Sequence, residues 1–173
     1  MAYLIDTDTI IFALRGDKTV LAKFEENKHV PLSISMITYA ELVFGAKRSQ
    51  NEQKNMIKVN HIREIYPIEE LNIGVMDVFA DIKVKMYAKA INNPDASVGV
   101  CCSHKVVAVG FNTLSYGAER RGIKPSARIR IEDMDLFIAA TALYNDLTLV
   151  TNNTKHFENI PGLKLENWKN GKT

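Results

Sequence analysis

The hydrophobic pattern of this chain switches repeatedly between a strand-like and a helical period, and the switches mark out its elements. "AYLID" is a short apolar run ending in acid and predicts a buried strand. "TDTIIFALRG" then reads as a helix, with Thr7 or Asp8 as cap and Gly16 closing it. "KTVLAKFEENKH" predicts a second helix with Val20, Leu21 and Phe24 on its inner face. "VPLSIS" is strand-like, and Ser35 is placed to cap the following helix, "MITYAELVFGAKRS". Polar "QNEQKN" leads to an amphipathic stretch ending at Ile65, then to a short strand around "IYPI". From Asn72 to Ala90, Val75, Phe79, Ile82 and Met86 recur at helical spacing.

Residues 91–128 break this rhythm with Gly, Pro and Ser punctuation, a valine-rich run and a basic stretch. In that region "KVVAVGFN" has the valine content of a strand, and "LSYGAERRG" could form a short helix carrying Arg120 and Arg121. "EDMDLFIAATALYND" is the most apolar helix candidate, followed by the strand "LTLVT", the turn "NNTKHF" and a last strand-like "LKLENW". Alternating strands and helices predict an α/β protein whose parallel sheet is covered on both faces. In such a sheet, ligands bind beyond the carboxyl ends of the strands. Asp6 ends the first strand, Asn152 and Asn153 end "LTLVT", and the two ends are expected to be neighbours.

Length and composition narrow this picture only a little. A chain of 173 residues, 46% hydrophobic and 24% charged, suits one soluble globular domain spanning 1–173. No apolar run approaches the ~20 residues that cross a bilayer. Asp6 interrupts the first apolar stretch before a signal-peptide core could form, so the expected location is the cytoplasm, with no membrane partner. The net charge of +2 does not announce a nucleic-acid binder. Its distribution matters more, because Arg120, Arg121, Lys124, Arg128 and Arg130 crowd one stretch. The two cysteines, Cys101 and Cys102, are adjacent, which implies no disulfide framework. With His104 they form "CCSH", which lacks the second ligand pair of a structural zinc site.

Three carboxylates sit where solvation alone would not place them. Asp6 ends a buried strand, Glu41 lies inside the apolar helix "ITYAELVFG", and Asp135 immediately precedes "LFIAATAL". Each has a structural alternative: Asp6 and Asp135 as helix caps, worth about 1 kcal/mol each, and Glu41 paired with Arg48. Carboxylates brought together repel one another unless a cation relieves them. A hard cation with oxygen ligands does so, and it lends itself to phosphate chemistry. The rival constellations are missing from the sequence: no GxxxxGK[ST], no GxSxG and no HExxH.

"YLIDTDTII", "ITYAELVFGAKRS", "DLFIAATALYNDLTLVTNNTKHF" and "PGLKLENW" closely resemble the PIN-domain ribonucleases, in particular the VapC-type toxins of bacterial toxin–antitoxin pairs. The matching stretches are residues 3–90 and 129–168, and the segment 91–128 between them reads as an insertion, a possible flap or hairpin. The resemblance implies a three-layer α/β/α PIN-like fold with a central parallel sheet. It also implies RNA cleavage that depends on Mg²⁺, with Mn²⁺ able to substitute. The family's acids fall on Asp6, Glu41 and Asp135, which the resemblance makes catalytic and metal-binding. The family's fourth position falls on Asn153, where many relatives carry aspartate. Other relatives place an acid at the position of His156, so Asn153, His156 and Glu158 stay open as the fourth ligand. Asp8 is read as a cap or a supporting group. The resemblance further implies an RNA substrate, a homodimer, and a cognate antitoxin seated in a groove near the acids, with Tyr39, Val43 and Phe44 as candidate walls.

Two other classes compete. "IDTDTI" approaches the DxDx[TV] signature of haloacid-dehalogenase-like phosphatases, with Asp6 as nucleophile and Asp8 as acid/base, although Ile10 stands where Thr or Val is needed. The other is a PIN fold that has lost catalysis and only binds RNA or protein, as the missing fourth acid allows.

Overall fold

The structure, a computed structural model, describes residues 1–92, 98–100, 129–131 and 133–169. In chain order the elements are β1 (Tyr3–Ile5), α1 (Thr7–Leu14), α2 (Lys18–Glu26), β2 (Leu32–Ser35), α3 (Met36–Arg48), α4 (Glu52–Ile65) and β3 (Ile68–Glu69). There follow α5 (Ile73–Asn92), β4 (Val98–Val100), β5 (Ile129–Ile131), α6 (Asp133–Tyr144), β6 (Thr148–Val150), α7 (Thr154–Phe157) and β7 (Lys164–Glu166).

Five strands form one parallel sheet in the order β3-β2-β1-β6-β7. Successive side chains of a strand point to opposite faces, and the short apolar strands use that rule to feed two separate cores. Leu4 and Leu149 join Val75, Ile82 and Met86 of α5 and Leu136, Ala139 and Ala140 of α6 in one cluster. Tyr3, Ile5, Ile34 and Val150 join Ile10 of α1, Leu42 of α3, and Val59 and Ile62 of α4 in the other. Helices therefore cover both faces, which gives the three-layer α/β/α architecture expected from the pattern. Among the described residues no helix is long and apolar enough to cross a membrane.

β1 passes into α1 through the single residue Asp6, and β2 passes directly into α3, Ser35 being the last residue of the strand. Asp6 caps α1, its carboxylate accepting from the Thr7 N–H at 2.7 Å. Ser35 caps α3 as expected, accepting from the Thr38 N–H at 2.9 Å. The cap of α1 is thus Asp6 itself, not Thr7 or Asp8, both of which lie inside the first turn. Gly16 ends that helix at φ +81°, a conformation that favours glycine.

Several boundaries differ from expectation. α4 already begins at Glu52, inside the polar stretch expected to precede the amphipathic one, because Val59 and Ile62 anchor its far end in the core. β3 lies after Pro67 rather than around it. Leu21, assigned to an inner face, is exposed, and Val20 and Phe24 alone turn inward. "NNTKHF" contains the one-turn helix α7, pinned by the buried Phe157.

β4 and β5 pair with each other, in parallel, as a separate two-stranded sheet, Val98 opposite Ile129 and Val100 opposite Ile131. The expected strand at 105–112, the expected helix at 114–122, Cys101, Cys102, His104, Arg120, Arg121, Lys124 and Arg128 lie outside the described residues.

Candidate active site

The order β3-β2-β1-β6-β7 means that the chain runs outward from β1 in one direction and later resumes on its other side. The switch point is therefore the β1/β6 seam, and the crevice beyond its carboxyl ends is the natural ligand site. Asp6 follows β1 there, and Thr151, Asn152 and Asn153 follow β6. The seam is stitched just below the crevice by the Asp6 N–H, which donates to the Val150 carbonyl at 3.0 Å. The expected neighbourhood of the two strand ends is what the sheet contains.

Asp6 is only 7% exposed. Burial pushes its carboxyl up to about 7, and the nearby charges of Asp8 and Asp135 push in the same direction, against hydrogen bonds from Thr151 and the Thr7 N–H. Thr7 serves two acids at once. Its N–H binds Asp6, and its hydroxyl donates to the Glu41 Oε2, reaching α3 across a sequence separation of 34. Glu41 makes this contact rather than a pair with Arg48; among the described residues no ion pair joins those two.

Asp8 is half-buried, and burial raises its carboxyl as well. Both of its oxygens accept from the Asn152 N–H, at 3.0 and 3.3 Å, and one accepts from the Thr9 hydroxyl at 3.1 Å. It is a strut between α1 and the turn after β6. The phosphatase reading needs Asp8 as a free acid/base, and this binding to the backbone does not suit that role.

Asp133 and Asp135 both stand in the first turn of α6, not ahead of it. Two residues on a helix lie about 200° apart around its axis, so the pair cannot face the same way. Asp133 binds Lys83 of α5 at 2.8 Å. Asp135 faces α7, where its Oδ2 lies 2.9 Å from the Nδ1 of His156. Asn153 is exposed at the N-terminal end of α7, and its side chain makes no capping hydrogen bond.

Asp8 and Asp135 are thus close enough for their charges to act on the Asp6 carboxyl. Among the described residues, however, no three His, Cys, Asp or Glu side chains converge into a closed metal cage. An oxygen-only donor set with surplus negative charge still fits a hard cation, and Mg²⁺ commonly keeps several waters and takes only one or two carboxylates. Asp6 and Asp135 could hold such an ion directly, with Glu41 at the rim.

A groove of about 350 Å³ opens beside Glu41, between α1, α3 and α4, lined by Ile11, Leu14, Leu42 and Val59, with Arg15 and Lys58 also contributing. Tyr39, Val43 and Phe44, expected as walls of an antitoxin groove, do not line this one. Tyr39 and Val43 pack on the core, and Phe44 is 63% exposed elsewhere on α3. Sequence reasoning also missed Thr7 and Thr151 as partners of the acids. The only signal for Thr7 was its position between two aspartates.

The sheet order, the layers and the acid-lined crevice define a PIN-like α/β/α protein. No protein-family model matches the chain. It is similar to the VapC ribonucleases over almost its whole length. It is 27% identical over 173 residues to Ribonuclease VapC2 of Rickettsia felis, covering 97% of this chain and 98% of that protein. It is 26% identical over 175 residues to Ribonuclease VapC1 of Haemophilus influenzae, with the same coverage. Among solved structures, it superposes on VapBC2 from Rickettsia felis bound to a promoter DNA fragment with a TM-score of 0.69, at 23% identity, covering 97% of this chain and 99% of that one.

Proposed function

We propose that this protein is an endoribonuclease of VapC type, the toxin of a toxin–antitoxin pair, and that Asp6, Glu41 and Asp135 are its working acids. The observation that carries the reading is Asp6: a buried carboxylate at the switch point of the sheet, crowded by Asp8 and Asp135. The similarity to named VapC ribonucleases supports the same reading.

When bound, Mg²⁺ or Mn²⁺ would neutralise charge on the scissile phosphate and supply an activated water. The chain's own residues provide the frame. Asp6 and Asp135 give the site its negative charge, and Thr7 fixes Glu41 relative to Asp6. Asp8 holds the turn that carries Asn153, whose exposed amide can hydrogen-bond a water or a ligand. The product of such hydrolysis is a cut phosphodiester with no covalent protein adduct.

The partners that follow are RNA, a second copy of the chain and a cognate antitoxin, all in the cytoplasm. The groove beside Glu41 is apolar with Arg15 and Lys58 among its lining residues, and a helix or tail of the antitoxin seated there would cover Glu41. The test is cleavage of total cellular RNA by the purified chain. Cleavage in Mg²⁺, its loss in EDTA, and its loss in Asp6→Asn are expected. Cleavage that survives EDTA, or a phospho-aspartate trapped by acid denaturation, would overturn the reading. Sequencing RNA ends after induced expression would then name the target.

A further inference from the structure

The contact between His156 and Asp135 joins two elements that the sequence separates by 21 residues. An ionised carboxylate has no proton to give, so in this contact the imidazole Nδ1–H donates and the Asp135 Oδ2 accepts, at 2.9 Å. Both side chains are half-buried. The backbone that carries the ring is anchored, because the next residue, Phe157, is 1% exposed in the core shared by α5 and α6. The His156 N–H is fixed as well, donating to the Asn153 carbonyl at 3.1 Å.

Resting on the proposed function, we infer that His156 is a positioning residue that aims Asp135, and that it is not itself the fourth metal ligand. Its Nδ1 is taken by the carboxylate, which leaves Nε2 as the one ring nitrogen that could face a cation. Mg²⁺, however, prefers oxygen to imidazole. With Oδ2 held by the ring, Oδ1 is the oxygen Asp135 presents to the crevice. Hydrogen-bonded support of this kind behind a ligating group commonly governs metal affinity by about 10–100-fold.

The stereochemistry supplies a sharp test. Asparagine carries its N–H at nearly the same distance from the backbone as the histidine Nδ1, whereas glutamine carries it one bond further out. Mn²⁺ affinity is measured by the EPR signal of free Mn²⁺ for the full chain and for His156→Ala, His156→Gln and His156→Asn, with RNA cleavage in parallel. The Ala and Gln variants should bind Mn²⁺ at least roughly tenfold more weakly, and Asn should return to within about threefold of the original chain. Electron spin-echo spectra of Mn²⁺ on the unmodified chain should show no directly bound nitrogen; this measurement needs no variant to fold. A nitrogen coupling, unchanged affinity in His156→Ala, or an Asn variant as weak as Ala would each overturn the positioning role. If Asp135→Asn also leaves Mn²⁺ affinity unchanged, the assignment of the acids fails with it. If Asp135→Asn abolishes binding while His156→Ala does not, only the role of His156 fails.

Discussion

The carboxylate of Asp8 accepts the Asn152 N–H through both oxygens, at 3.0 and 3.3 Å, so the first turn of α1 is tied to the turn after β6. The two segments are far apart in sequence and carry the two halves of the crevice. Hydrogen bonds to an ionised group contribute about 1.5–3 kcal/mol each. Asp8→Ala should therefore destabilise the protein by about 1–3 kcal/mol. Asp8→Asn keeps an oxygen for Asn152 and should cost less. Because the Asp8 charge helps hold the Asp6 carboxyl up, the Asn variant should also lower the Asp6 pKa. Denaturant melts and an NMR titration of Asp6 would check both.

Stability should depend on pH through Asp6. Its carboxyl stands at about 7 in the folded chain against an ordinary value of 3.8. Between those values the native state holds a proton that the unfolded state has lost, so raising the pH favours unfolding. The contribution is full below about pH 4 and is lost as pH rises through about 7. Without divalent ions, the Tm should fall from pH 5 to pH 8, and Asp6→Asn should flatten the slope. Mg²⁺ binding only the folded state would raise the Tm most at pH 8, where Asp6 is ionised. A metal-free Tm that rises steadily over this interval would contradict the assignment.

The two aspartates of α6 should behave differently although they stand two residues apart. Asp133→Asn removes one partly exposed ion pair with Lys83, worth about 0–1 kcal/mol, and should leave RNA cleavage intact. Asp135→Asn should keep the fold and lower cleavage by roughly 100-fold or more. Circular dichroism and cleavage rates on the two variants decide the matter. Equal losses would mean that α6 presents both acids to the crevice.

The basic stretch between Glu119 and Arg130 is a property of the sequence. We propose that the segment 91–128 contributes RNA contacts within a single domain. Replacing 93–126 with a short Gly/Ser linker should weaken RNA binding. It should also flatten the dependence on salt, by about 0.7 in log–log slope for each single-strand phosphate contact removed. A folded deletion variant with unchanged affinity and slope would exclude that role.

What the sequence alone determined is what local chemistry and periodicity carry. Apolar strands too short to be amphipathic announced a covered parallel sheet, and Ser35 announced the start of α3, because a cap needs only the next three residues. The resemblance carried by "YLIDTDTII" and "DLFIAATALYNDLTLVTNNTKHF" pointed to Asp6 and Asp135 as acids of interest. What only the tertiary structure decided is which groups face one another across elements. That Thr7 reaches Glu41, that Asp8 is bound by Asn152, that Lys83 takes Asp133 and that His156 takes Asp135 are contacts over separations of 34, 144, 50 and 21 residues. No local period encodes them. They follow from the sheet order, which sets β2 and β6 on either side of β1, and from the half-turn that divides the faces of α6. The same holds for the groove, because three helices must meet before its walls exist.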